Sequence, residues 1–234
     1  MAKGSWPAIC AKGGTLTWKK RIFDLFFASL LVVILGPVII WLLFYVWIKQ
    51  GRPIFYAAER MKSPEQSFRL WKLRTMTVVK NDSGVTGGHK TDRLTETGAW
   101  LRRRRLDEFP QLWNLLRGDL SFVGPRPPLR EYVERYPEVY AEVLKSRPGV
   151  TGLATIRYHQ HEDRLLERCR TAEKADAIYT QLCIPRKAKL DLIYQRHQST
   201  CYDFALVFET IGNLFQGRSR PKKRHKPGRT RKLN

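Results

Sequence analysis

The strongest constraint on the fold is a run of 24 residues without a charge, "LFFASLLVVILGPVIIWLLFYVWI", from Leu25 to Ile48. As one straight helix it would be roughly 36 Å long, enough to cross a bilayer core of about 30 Å. It is too long for the apolar part of a secretory signal, and no small-residue cleavage site follows it. Gly36-Pro37 sits at its midpoint. Pro37 has no N–H to donate, and its ring crowds the carbonyl of Val33. Both flanks are basic, with five Lys/Arg against one acid in residues 1–24 and four against one in residues 49–62. Positive flanks favour the cytoplasmic side, so a single crossing leaves one flank misplaced. A helix broken at Gly36-Pro37 that enters one leaflet and returns satisfies both flanks. Each half would then be about 17 Å long, near the depth of a leaflet. A kinked ordinary span is the alternative, because Pro is tolerated in transmembrane helices. In the re-entrant arrangement Trp41, Tyr45 and Trp47 are interfacial anchors. Both readings embed the chain in a membrane.

The formal net charge is +22, which implies anionic partners such as nucleic acid, anionic lipid or phosphorylated substrates. Nine of these positive charges lie in "GRSRPKKRHKPGRTRKLN", which has no acid. Such a tail is expected to be disordered and to contact anionic membrane lipids. The remainder is still basic at +13. The four cysteines show no metal-type spacing and read as reduced thiols. His159 and His161 form an HxH with no further His/Cys set nearby, which is weak support for a metal site.

The rest of the chain reads as short elements. "PIFYAAER" and "FRLWKLRTM" suggest a hairpin. Residues 77–98 suggest a long Gly/Thr-rich loop, followed by a basic helix from Ala99 to Arg105 and another from about Asp107 to Leu116. "GDLSFV" suggests a strand, "REYVERYPEVYAEVLKS" a helix, "RPGVTGLATI" a turn and strand, and residues 161–197 one or two charged helices. Phe204, Val207, Phe208, Ile211, Leu214 and Phe215 recur at helical steps. That helix is amphipathic, and it can lie on a membrane or pack into the core.

Chemistry enters at "RRRRLDEFPQ", where Arg102 to Arg105 run into Asp107 and Glu108. A helix starting near Asp107 would favour an anion there through its free N–H groups and dipole. With the arginines it would lower the pKa of Asp107 and keep it ionised. An ionised carboxylate among cations can act as nucleophile, metal ligand or general base. Two acids complementing a helix end is the plainer reading of the dipeptide alone. "GPRPP" then fixes Arg126 on Pro-stiffened backbone, and "SRPGVTG" sets Arg147 beside a tight turn. Arginine on rigid backbone suits bidentate binding of phosphate oxygens.

In order along the chain, "KRIFD", "GRPIFYAAERMKSPEQSFRLWKLRTM", "DRLTETGAWLR", "LDEFPQLWNLLRGDLSFVGPRPPL", "RPGVTGLATI" and "LDLIYQRHQSTCYDFALVFETI" resemble the bacterial sugar transferases, the monotopic polyprenyl-phosphate phosphoglycosyl transferases. The resemblance covers about residues 19–215. It implies an α+β, mostly helical protein: an N-terminal segment (1–18), a re-entrant membrane helix (19–50), a cytoplasmic catalytic domain with short strands (51–216) and a basic tail (217–234). It implies transfer of a sugar 1-phosphate from a UDP-sugar to polyprenyl phosphate at the inner membrane, with Mg2+, as the first membrane step of glycan synthesis. Downstream glycosyltransferases are expected partners and nucleic acid is not.

Carried onto this chain, Asp107 is the nucleophile and Glu108 its partner and metal ligand. Arg126, Arg147, Lys72, Arg74 and Arg102 bind substrate phosphate. The sequence departs from the family pattern at Gly36-Pro37, where Ser-Pro is common, and at Arg105, where Ser or Thr is usual. It also departs at "AERMKSP", which lacks a Gly, and at "TIRYHQHE", which replaces "QVxGRN". The rival readings are a non-catalytic polybasic membrane binder and a phosphoryl transferase acting on another lipid phosphate.

Overall fold

The computed structural model describes residues 18–78 and 92–215. The expected tail, most of the N-terminal segment and much of the Gly/Thr-rich loop lie outside the described residues. The apolar run forms α1 (Trp18–Gln50), which stays helical through Gly36-Pro37. The break expected there is not observed, since a proline can be carried inside an apolar helix. A hairpin of β1 (Phe55–Met61) and β2 (Ser67–Leu73) follows, antiparallel, with Tyr56 opposite Lys72 and Arg60 opposite Phe68. Next come α2 (Glu96–Arg103), a 3-10 turn over Leu106–Glu108 and α3 (Gln111–Arg117). β3 (Ser121–Val123) pairs in parallel with β4 (Gly149–Thr151), and between them lie α4 (Arg130–Arg135) and α5 (Pro137–Val143). The chain ends in α6 (Leu153–Leu166), α7 (Ala172–Ile178), a π turn over Tyr179–Cys183, α8 (Ile184–His197) and α9 (Thr200–Phe215). The fold is mostly helical with a few short strands.

Both ends of α1 are fastened to the same domain. Near its start the Lys20 ammonium pairs with Asp203 and donates to the Tyr194 hydroxyl at 3.1 Å and the Val123 carbonyl at 3.2 Å. Arg21 donates to the Leu115 and Leu116 carbonyls at 2.8 and 2.7 Å. These carbonyls lie at the end of α3, where Gly118 also donates its N–H to the Leu115 carbonyl at 3.0 Å, and Arg21 adds a side-chain cap to that backbone one. Asp24 accepts from the Phe122 N–H. At the other end Leu42 and Val46 pack on Leu73 and Leu101. Gln50 donates to the Arg74 carbonyl at 3.3 Å and accepts from Thr95. Between these anchors α1 stands clear of the domain: Val33 is 75% exposed and Ile40 70%.

Several expectations are corrected. α2 begins at Glu96, three residues before the expected start at Ala99, because Thr95 caps it by accepting from the Gly98 N–H at 2.9 Å. The helix expected from Asp107 begins at Gln111 instead. The stretch expected to be helical, "REYVERYPEVYAEVLKS", is divided by Pro137 into α4 and α5, since proline fits the first turn of a helix but not its interior. "LATI" opens α6 and is not strand. The amphipathic α9 is partly core, with Asp203 and Leu206 buried and Phe204 edge-on to Phe23 and Phe27 of α1. Phe208 and Ile211 stay exposed.

Candidate active site

The site is built where α2 ends. Arg105 adopts a left-handed backbone, φ 55°, uncommon for a residue with a Cβ. That turn reverses the chain and tucks the 3-10 segment against β2. Asp107 is 7% exposed as a result. Burial raises its pKa, Lys72 opposes that, the neighbouring Glu108 adds to it, and Arg102 lowers it. The expected downward shift is therefore reversed. The α-helix begins at Gln111, four residues too late for its dipole to act, and desolvation outweighs the cations.

Glu108 has the opposite fate. It accepts from Arg126 at 3.0 Å and from Lys72 at 3.4 Å on one oxygen, and Arg105 lies 3.4 Å from the other. Burial works to raise its pKa, but Arg126, Lys72 and Arg105 overcome it and hold the carboxyl far below the usual range. Lys72 is itself pushed down, first by burial and then by repulsion from Arg126 against the pull of Glu108. Two adjacent carboxylates thus have different environments: Glu108 is bound on three sides, while among the described residues Asp107 makes no ion pair within 4.0 Å.

Arg126 reaches Glu108 from the loop after β3. That loop is held by the Gly124 N–H on the Thr151 carbonyl and the Gly149 N–H on the Pro125 carbonyl, each at 2.9 Å. A Cβ on Gly124 would lie 2.1 Å from the Arg147 carbonyl, and one on Gly152 would lie 2.2 Å from the Gly124 carbonyl. Only glycine permits this closeness. Lys72 is aimed by β2, which Asn114 of α3 pins from the side. Asn114 accepts from the Trp71 N–H at 3.1 Å and donates to the Arg69 carbonyl at 2.8 Å. Asn114 was not expected at the site, although a polar residue inside the apolar "QLWNLL" was the available signal.

The remaining expected residues divide. Arg102 acts on Asp107 and donates to the Thr75 hydroxyl at 2.9 Å. Arg74 instead caps α1, donating to the carbonyls of Gln50, Gly51 and Arg52. Arg147 lies beside Arg21 and Gly118, with Asp24 and Asp119 as its acidic neighbours. The structure brings Lys72, Arg102 and Arg126 to the two acids and sets Arg74 and Arg147 apart from them. Of the four consecutive arginines, Arg105 binds Glu108, Arg102 faces Thr75, and Arg104 stacks on Trp100 at 4.9 Å.

Among the described residues no three His, Cys, Asp or Glu side chains gather as a metal cage. Two adjacent carboxylates, one of them kept ionised by its neighbours, still fit Mg2+, which takes one or two carboxylates and completes its shell with substrate phosphate and water.

The model of the bacterial sugar transferase family matches residues 15–217. This chain belongs to the bacterial sugar transferases. It is 30% identical over 204 residues to a UDP-glucose:undecaprenyl-phosphate glucose-1-phosphate transferase of Klebsiella pneumoniae, covering 86% of this chain and 41% of the relative. A protein of the same description from Escherichia coli is 31% identical over 196 residues, covering 82% and 39%. The exopolysaccharide production protein ExoY of Rhizobium meliloti is 30% identical over 209 residues, covering 82% of this sugar transferase and 83% of ExoY. The chain thus spans about two fifths of the first two relatives and most of the third.

Proposed function

We propose that this sugar transferase moves a sugar 1-phosphate from a UDP-sugar to a polyprenyl phosphate, with Asp107 as covalent nucleophile. The observation that carries the reading is the contrast between the two acids: Glu108 is paired with three cations, whereas Asp107 is buried near Lys72 and makes no ion pair among the described residues. A carboxylate freed of direct partners and desolvated is the more reactive of the two. Its oxygen forms a bond to the donor's β-phosphorus, the bond from that phosphorus to the bridging oxygen breaks, and UMP leaves with the electron pair. The lipid phosphate oxygen then attacks the same phosphorus and the carboxylate of Asp107 is regenerated. Two displacements let a water-soluble donor depart before the lipid reacts.

Lys72, Arg102 and Arg126 neutralise charge on the phosphoryl oxygens. Glu108 keeps Lys72 and Arg126 together and would hold Mg2+, which when bound supplies further neutralisation of phosphate charge. α1 supports the re-entrant, monotopic reading, because both of its ends are tied to one domain while the middle stands free. The domain then faces the cytoplasm at the inner membrane, where anionic lipids surround it and downstream glycosyltransferases collect the product. The pathway is the first membrane step of exopolysaccharide or related glycan synthesis, in keeping with the names of the relatives. The test is UMP release from a panel of UDP-sugars with Mg2+ and polyprenyl phosphate. Lipid-dependent release by wild type, absent in Asp107→Asn, supports the reading; release that survives in Asp107→Asn overturns it.

A further inference from the structure

Beyond the cations around Glu108 stands another that the sequence did not single out. Arg60 lies near the end of β1, on the strand face that carries Tyr56, whose cross-strand partner is Lys72. The strand end is clamped to the loop that bears Arg126. The Met61 N–H donates to the Pro128 carbonyl at 3.0 Å, and Glu59 accepts from Arg130 at 2.6 Å. This clamp brings Arg60 within electrostatic reach of both Arg126 and Lys72.

The Nε of Arg60 is closed off from solvent and has no hydrogen-bond partner among the described residues. Glu131 of α4 is the acid that acts on it, at longer range and without an ion pair, and its own Oε1 is likewise buried and unbonded. A guanidinium held beside two other cations, with a buried donor unused, is costly unless an anion completes it. Glu108 already serves Arg126 and Lys72. Burial and then the charge of Arg126 push the Arg60 pKa down.

The cations couple electrostatically in an order that starts at Asp107. Lys72 and Arg126 act on Asp107, whereas Arg60 acts on Lys72 and Arg126. A diphosphate whose reacting phosphorus meets Asp107 would extend its other phosphate along this track. We propose that Arg60 is a substrate-binding residue that grips the donor phosphate departing with the nucleoside, and so binds the nucleotide product as well as the donor. The inference rests on the transferase reading given above.

The test uses the full chain in lipid nanodiscs, with UMP and UDP-glucose as probes, comparing wild type, Arg60→Gln and Arg60→Lys by calorimetric binding and thermal unfolding. Arg60→Gln is expected to weaken UMP about tenfold or more, the loss of a charge-assisted hydrogen bond. Arg60→Lys falls between, since lysine offers a point charge without the planar fork. Without ligand, Arg60→Gln should unfold at the same temperature as wild type or higher, because an unbonded buried charge has gone. UMP affinity unchanged in a folded Arg60→Gln overturns the proposal. So does a ligand-free Arg60→Gln that melts lower with UMP binding intact, the signature of a purely structural arginine. Binding of UMP can depend on Arg60 even if Asp107→Asn still turns over, so this inference and the nucleophile assignment fail separately.

Discussion

Arg126 and Glu108 meet at 3.0 Å across the gap between the loop after β3 and the 3-10 turn, and Lys72 shares the same carboxylate oxygen. This contact joins three separate elements at one point. Glu108→Gln leaves Arg126, Lys72 and Arg105 facing one another without a counter-charge. The expected cost is about 3 kcal/mol of stability, the scale for breaking a buried ion pair, read by chemical denaturation in detergent.

The Glu108 contribution should depend on pH with a definite sign. Its folded pKa is depressed, so the stabilisation is complete above the unfolded value of about 4.3 and is lost as pH falls below it. Wild type should lose stability over that acid range more steeply than Glu108→Gln. Equal slopes would show that the three cations do not act on Glu108.

Asp107 carries the reverse linkage. Its folded pKa is raised, so ionisation costs stability once the pH exceeds the unfolded value of about 3.9, and the full cost applies above the folded value. Asp107→Asn is therefore expected to melt no lower than wild type at pH 7 while losing activity by about 10³-fold or more, the scale for removing a nucleophile. Thermal unfolding beside UMP release checks both halves.

Asn114 holds β2 through two backbone groups. Asn114→Ala strands a buried N–H and a carbonyl, at about 2 kcal/mol, and frees the strand that aims Lys72. Stability and turnover should fall together, and Asn114→Asp should recover the contact to the Trp71 N–H but not the one to the Arg69 carbonyl.

Lys20 fastens the start of α1 to Asp203, Tyr194 and Val123. Lys20→Met removes the cation and leaves the Asp203 carboxylate buried, at about 3 kcal/mol. Hydrogen exchange should rise first in α9 and the first turns of α1. Exchange that rises only near Gln50 would contradict the two-ended anchoring.

The sequence made some of this legible and hid the rest for physical reasons. Local pattern found the apolar α1, the hairpin, the Asp-Glu pair and the Pro-fixed Arg126, because hydrophobic runs, turn residues and rigid backbone act over short range. It missed the left-handed turn at Arg105, since a residue with a Cβ seldom adopts that conformation and nothing nearby signals it. It assigned Asp107 the wrong direction of pKa shift because charge is visible in a sequence and desolvation is not. Arg74 and Arg147 show the same limit. Each sits in a motif rich in cations, yet Arg74 caps α1 and Arg147 lies beside Arg21, positions decided by contacts across the fold. Arg60 belongs to a strand and to a stretch that resembles the family pattern, but neither gives it a role, because its neighbours Arg126 and Lys72 are brought near it by the β1 clamp.

The most direct test of the central claim is intact-protein and peptide mass spectrometry after mixing the protein with Mg2+ and a panel of UDP-sugars in the absence of polyprenyl phosphate. A sugar-phosphate adduct is predicted on the peptide containing Asp107, absent in Asp107→Asn and discharged when the lipid phosphate is added. An adduct on another residue, or UMP formed only when lipid is present with no labelled enzyme at any time, would contradict Asp107 as the covalent nucleophile.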